Sequence, residues 1–210
     1  MSHSPDSKPF GRSSERSSGS VYPAREDSLL LVPYARVPRG SSLLEVGAGT
    51  GLAALEAATA GARVVATDLN PHALRGVRER ARQQRLTVEV VRTDLARGLG
   101  RFDRIVSNPP YLPTRPAQRD PDRWQNLALD GGPDGCAVLA RLIDSIPDHL
   151  NPGGDAFVVV SSLQSAKRLV SLRTRWEKQG GRCTVAATRP LEGERLEVWR
   201  LDPPAAPEVA

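Results

Sequence analysis

The run Asn108-Pro109-Pro110-Tyr111, directly after the apolar stretch Arg104-Ile105-Val106-Ser107, constrains this chain more tightly than any other feature. Two consecutive prolines supply no backbone N–H and fix φ, and a proline drives the residue before it out of helical space. A strand that runs into this tetrapeptide must stop there, in a stiff extended loop. The stiffness holds the Asn108 side-chain amide beside the unpaired carbonyl of Pro109 at the carboxyl end of a strand. Two acceptors held side by side suit the grip of an –NH2 on a planar amide or amine.

Upstream, residues 42–46 read as a short apolar strand that enters Gly47-Ala48-Gly49-Thr50-Gly51 and an alanine-rich helix over 50–60, closed by Gly61. The glycines allow a tight turn and close backbone approach, and the helix start offers free N–H groups. A dinucleotide fingerprint would place its third glycine at position 52, which is Leu52. The spacing, with Glu45 two residues ahead, looks instead like the S-adenosylmethionine loop of class I methyltransferases. A carboxylate repels a pyrophosphate and attracts a cationic sulfonium amino acid.

Strand and helix signals keep alternating. A short helix over 26–36 is disturbed at Pro33; strands are predicted at 63–67, 87–91, 102–107 and 155–161, and helices at 71–85, 135–150 and 164–179. Residues 108–133 read as a polar, proline-rich loop. A final pair of strands, 182–187 and 195–201, turns around Glu192-Gly193-Glu194. The pattern predicts an α/β Rossmann-like fold, with a mostly parallel seven-stranded sheet, an antiparallel edge strand and helices on both faces. The domain is expected at 21–201, between a serine-rich tail, 1–20, and a Pro/Ala-rich tail, 202–210, both disordered by composition.

Open sheets of this kind bind ligands at the carboxyl edge of their strands. Three successive strands end in acids there. Glu45 precedes the glycine loop, whose Gly47, Ala48, Gly49 and Gly51 form the cradle. Asp68-Leu69 leaves the second strand, where a carboxylate can accept both hydroxyls of a ribose. Asp94-Leu95 follows the third, where an Asp can accept an adenine amino group and a Leu can pack on the ring. Asp27-Ser28 is a candidate to close over the cofactor, although a helix start gives equal reason for both residues.

Composition excludes more than it assigns. Net charge is +5, and the first 28 residues, with four basic and four acidic side chains, contribute none of it. Cys136 and Cys183 have neither zinc-ligand spacing nor the count of a disulfide framework, so they read as buried thiols of a reducing compartment, the cytoplasm, with no metal site. No stretch approaches a membrane span, and no partner membrane is expected.

Together these residues resemble the HemK/PrmC-type methyltransferases that modify glutamine in translation release factors, over about residues 21–201. Val21–Ser28 is similar to the family's Tyr…Glu-Asp-Thr segment, Asp130-Gly131-Gly132-Pro133-Asp134-Gly135 to its Gly-Gly-x-Gly segment, and Arg195-Leu196-Glu197-Val198 to its final strand. Pro23 stands one position early, and the Arg-rich loop 115–123 has no counterpart. The likeness is to the short form, without the long N-terminal helical domain. It implies a protein substrate such as a release factor, a small zinc-binding activating subunit, and catalysis by Asn108 and Pro109, with Tyr111 stacked on the acceptor. Two other readings remain at this stage: an exocyclic-amine methyltransferase on a nucleic-acid base, and a non-catalytic cofactor-binding partner. Arg75, Arg78, Arg82 and Arg85 form a basic stripe read as a solvated face, with RNA contact as its alternative.

Overall fold

In the computed structural model, residues 21–204 are described; the tail expected at 1–20, and most of that expected at 202–210, lie outside the described residues. The chain forms strands β1 (Ser42–Val46), β2 (Arg63–Asp68), β3 (Val88–Arg92), β4 (Phe102–Ser107), β5 (Leu150–Ser161), β6 (Arg182–Leu191) and β7 (Glu194–Asp202). Its helices are α1 (Glu26–Leu31), α2 (Leu52–Thr59), α3 (Pro71–Gln83), α4 (Arg123–Leu129), α5 (Ala137–His149) and α6 (Ala166–Lys178).

One seven-stranded sheet has the order β3-β2-β1-β4-β5-β7-β6. The strands from β3 to β5 pair in parallel, and β7 runs antiparallel between β5 and β6. The expected antiparallel strand is therefore β7, one position inside the edge. Parallel strands buried on both faces read as unbroken apolar runs, and alternation distributes their side chains. Leu43, Val106, Phe157, Val159 and Val198 pack against α1, α2 and α3, whereas Leu44, Ile105, Val158, Val160 and Leu201 pack against α5 and α6.

Local chemistry sets the helix ends. Asn70 caps α3 by accepting the His72 N–H at 2.9 Å, with Pro71 in the first turn. The glycine loop has positive φ at Gly47, Gly49 and Gly51. A Cβ at Gly51 would meet Val77 Cγ2 at 2.5 Å, so this glycine lets α2 start directly against α3.

The structure departs from the sequence expectations in four places. Proline at position 33 ends α1 early, in a 3-10 turn over Val32–Ala35. The loop 108–133 contains α4, started by the Asp122 carboxylate accepting the Trp124 N–H at 2.8 Å. β5 begins at Leu150 rather than 155, with a register shift opposite Phe102 and Arg104. β6 and β7 are longer than the expected pair, and Pro190 is tolerated because β6 is an edge strand.

Candidate functional site

Strand order reverses between β1 and β4, and a cavity of about 680 Å³ opens at the carboxyl ends of these strands. It is lined by every residue singled out from sequence as a site candidate except Gly51. Gly51 stands back from the cavity and packs on Val77. Its role is to seat the helix that follows the loop.

Glu45 lies beneath the glycine loop and accepts the Ala54 N–H at 2.8 Å through Oε2. Burial pushes its carboxyl up to about 8, against the backbone N–H groups of Ala54 and Ala53, which favour the charge, while Asp68 adds to the rise. Asp68 accepts the N–H of Gly49 at 2.9 Å and of Asn70 at 2.8 Å, tying the end of β2 to the loop. Its pKa is also raised, by burial first, although these N–H groups oppose the shift. A buried acid beside a half-buried one in a cavity favours a cationic ligand.

Farther along the edge, Asp94 pairs with Arg141 from α5, and both line the cavity. Leu95 has a left-handed φ of 56°, and its carbonyl accepts the Thr67 hydroxyl at 2.8 Å. That turn presents Leu69 and Leu95 as apolar wall on either side of the second and third strand ends.

On the β4 side, the Asn108–Tyr111 loop is fastened from outside. Leu112 donates to Leu129 at 3.1 Å, and Gly131 donates to Leu112 at 2.9 Å. Gly135 packs so close that a Cβ there would strike the Tyr111 carbonyl. The Gln164 amide donates to the Gly135 carbonyl at 2.7 Å, securing the turn in its place. Inside this frame the Asn108 Oδ1 atom is buried and has no hydrogen-bond partner among the described residues. Leaving such an acceptor unmet costs about 1–3 kcal/mol.

Tyr111 lines the cavity and is anchored through its hydroxyl. Its hydroxyl donates to Asp27 Oδ2 at 3.2 Å, and its ring packs on the core beneath α1. Burial, then the Asp27 and Glu194 carboxylates, raise its pKa well above the usual phenol range. Asp27 in turn accepts the Ser28 N–H at 2.7 Å. The segment carrying Tyr22 and Ser28 is thereby joined to the proline loop.

The chain and its fold match a known family. The methyltransferase small domain family matches residues 25–127. A putative protein N5-glutamine methyltransferase of Methanocaldococcus jannaschii is 34% identical over 186 residues, 86% of this chain and 92% of that protein. The methyltransferase HEMK2 of Mus musculus is 33% identical, over 86% of this chain and 89% of its own. This chain is a HemK-type methyltransferase. The Deinococcus radiodurans release factor glutamine methyltransferase is 42% identical, but only half of its length is spanned. Among solved structures, the E. cuniculi Mtq2–Trm112 complex aligns with a TM-score of 0.67 at 24% identity, covering 88% of this chain and 99% of that one.

Within this HemK-type site, sequence reasoning weighed Asp27 equally as a cofactor cover and a helix-start acid, and did not find Arg141 or Glu194. Nothing in a mid-helix arginine or a hairpin-turn glutamate marks it as a cavity residue. Glu194 accepts the Ser161 hydroxyl at 2.6 Å and lines the far side of the mouth. Trp124 stacks under Arg123 at 4.0 Å and meets His72 edge-on at 5.6 Å, closing the mouth from α4. Cys136 and Cys183 are buried and free. Burial pushes both thiols up to about 11, which leaves them unreactive.

Proposed function

We propose that this protein transfers a methyl group from S-adenosylmethionine to the side-chain nitrogen of a glutamine in a protein such as a translation release factor. The observation that carries this reading is the buried Oδ1 of Asn108, which has no hydrogen-bond partner among the described residues, in a loop whose Asn108 and Pro109 both line the cavity. An acceptor without a donor is matched by a substrate –NH2. Relatives named for glutamine methylation, at 34% and 42% identity, support the amide over a nucleic-acid base.

The cavity residues fit the cofactor. Glu45 and Asp68 suit its cationic and hydroxyl-bearing parts, Asp94 and the Leu69 and Leu95 walls its adenine, and Ser28 its open side. Gly47, Ala48 and Gly49 leave room for close backbone approach, with no Cβ contact within 4 Å of Gly47 or Gly49. S-adenosylmethionine, when bound, supplies an electrophilic methyl.

An amide nitrogen is a poor nucleophile because its lone pair is delocalised. Asn108 Oδ1 and the Pro109 carbonyl accept its two N–H bonds, orient the lone pair and favour the positive charge that develops on nitrogen. The transfer would break the sulfonium S–CH3 bond, release S-adenosylhomocysteine and pass one N–H proton to water after attack, so that catalysis rests on position and fixed dipoles rather than on a general base at the attack step. The Asp27 bond fixes the Tyr111 hydroxyl, and the cavity-lining ring stacks on the planar amide. A small activating subunit belongs to the same reading, since one structural neighbour is a two-protein complex.

The test is mass spectrometry of a purified release factor incubated with this chain and cofactor, with and without a candidate subunit. One added methyl on a glutamine supports the proposal, and its absence in Asn108→Ala assigns the residue. Methylation of an adenine-containing oligonucleotide alone would replace the protein acceptor with a base. Full activity of the chain purified alone would remove the subunit.

A further inference from the structure

Arginines are segregated across this sheet. Every arginine between residues 137 and 204 lies within ion-pair distance of a carboxylate, as in Arg175–Asp144 and Arg182–Asp202. On the opposite flank, Arg75, Arg78, Arg82, Arg85, Arg92 and Arg97 are all exposed, and none has a carboxylate partner among the described residues. Residues 61–99 hold eight arginines against four carboxylates, which accounts for most of the net charge of +5. Two of those carboxylates, Asp68 and Asp94, are turned to the cavity, and Glu79 and Glu89 pair with none of the arginines. A compositional bias toward arginine explains the residue type but not this segregation.

The arginines form one surface. Leu74, Val77 and Ala81 bury the inner side of α3, which leaves Arg75, Arg78 and Arg82 outward over about 10 Å at 1.5 Å per residue. Arg85 continues the row from a left-handed position, φ 57°, just past the helix end. Glycine adopts that conformation without strain, whereas a side chain there costs about 1–2 kcal/mol. Arg92, at the carboxyl end of the edge strand β3, donates to the Leu69 carbonyl at 3.1 Å, beside the cavity. Arg123, exposed and also without a carboxylate partner, stands above Trp124 at the mouth and brings the row up to the site.

We infer that this flank binds the phosphate backbone of a structured nucleic acid and holds the enzyme on it while the cavity handles its acceptor. A protein partner of useful affinity needs an apolar or aromatic centre within its patch. Of the exposed large apolar side chains of the described residues, Leu29, Leu163, Val170 and Val185 lie on other elements, and Leu69 alone adjoins the flank, at the cavity rim beside Arg92. Backbone phosphates, by contrast, are bound by cations alone and without sequence preference. The inference does not depend on which group is methylated.

Fluorescence anisotropy of the full chain with a labelled RNA hairpin, and with a DNA duplex of equal length, tests it without any methyl transfer. Four phosphate contacts at a slope of about −0.9 each predict a loss of roughly 10²-fold in RNA affinity over a fourfold rise in salt. The variant R75Q/R78Q/R82Q/R85Q should bind at least about tenfold more weakly and lose most of that salt slope. Its melting temperature and S-adenosylhomocysteine affinity should match the wild type, since these side chains contact neither core nor cavity. The control R168Q/R173Q/R182Q should bind RNA as the wild type does. The ratio of RNA to DNA affinity tells which backbone is preferred, and binding to either supports the inference. Unchanged binding in the quadruple variant, no binding at low salt, or equal affinity for poly-glutamate would overturn it, the last in favour of an acidic protein.

Discussion

Glu45 makes the energetics of the site measurable. A buried carboxyl raised from 4.5 to about 8 stays protonated in the folded chain while its unfolded counterpart ionises. At about 1.4 kcal/mol per unit, the shift amounts to roughly 5 kcal/mol. The sign follows from proton counting: between pH 4.5 and about 8 the folded state binds more protons, so stability falls as pH rises. Below that window the group costs nothing, and above it the full penalty of a buried charge is present. Glu45→Gln is neutral at every pH and keeps an oxygen for the Ala54 N–H. Without ligand it should melt near the wild type at pH 5 and about 10 °C higher at pH 9, at some 2–4 °C per kcal/mol for a chain this size. A cationic ligand that favours the ionised form should release a proton near pH 7, seen by calorimetry in buffers of different ionisation enthalpy. The same substitution should abolish that release and weaken S-adenosylmethionine. Parallel melting curves for wild type and variant from pH 5 to 9 would refute the argument that burial governs this carboxyl.

Asn108→Asp should lower turnover on a glutamine amide by roughly 10²-fold with cofactor affinity within about threefold; an equal loss in both, by calorimetry and initial rates, would put the residue in cofactor binding instead. Gly51→Ala places a Cβ 2.5 Å from Val77 Cγ2 at a positive φ and should destabilise by about 2–4 kcal/mol in urea unfolding, with partial recovery in Gly51→Ala/Val77→Ala. Asp155 holds Arg104 through two bonds of 2.6 and 2.8 Å, so Asp155→Asn should cost about 3–5 kcal/mol by chemical denaturation without changing cofactor affinity.

The central sheet was legible because its signals are local: apolar runs of strand length, a glycine loop, and prolines that forbid continuation. Site residues that follow strands were legible for the same reason, since a parallel sheet delivers successive strand ends to one edge. What was hidden depends on contacts distant in sequence. Gly51 reads as part of the cradle until Val77, in a different helix, is seen to need its space. Asp27 and Tyr111 are 84 residues apart, and only the fold makes a helix-start acid the partner of a proline-loop phenol. α4 has seven residues in a proline-rich setting, too short for periodicity to reveal. β5 starts at Leu150, five residues before the expected Asp155, because Leu150 pairs with Phe102 while Pro152, Gly153 and Gly154, which look like loop, fill the register shift before Asp155 pairs with Arg104.

The two glycine groups do opposite work on one edge. Gly51 brings α2 and α3 together behind the cradle, so the backbone N–H groups ahead of it hold fixed positions. Gly131 and Gly135 let their turn close on the proline loop from the other side, where Cβ atoms would collide with the Gly135 and Tyr111 carbonyls. Between them lie Asn108, whose acceptor is held without a partner, and Asp27–Tyr111, which ties the N-terminal segment to the same loop. A reaction that relies on alignment rather than on proton transfer needs this kind of support, because loss of position costs rate directly. Gly135→Ala should therefore depress turnover more than it depresses the melting temperature, and a variant that loses stability but keeps turnover would show the loop to be less constrained than its packing implies.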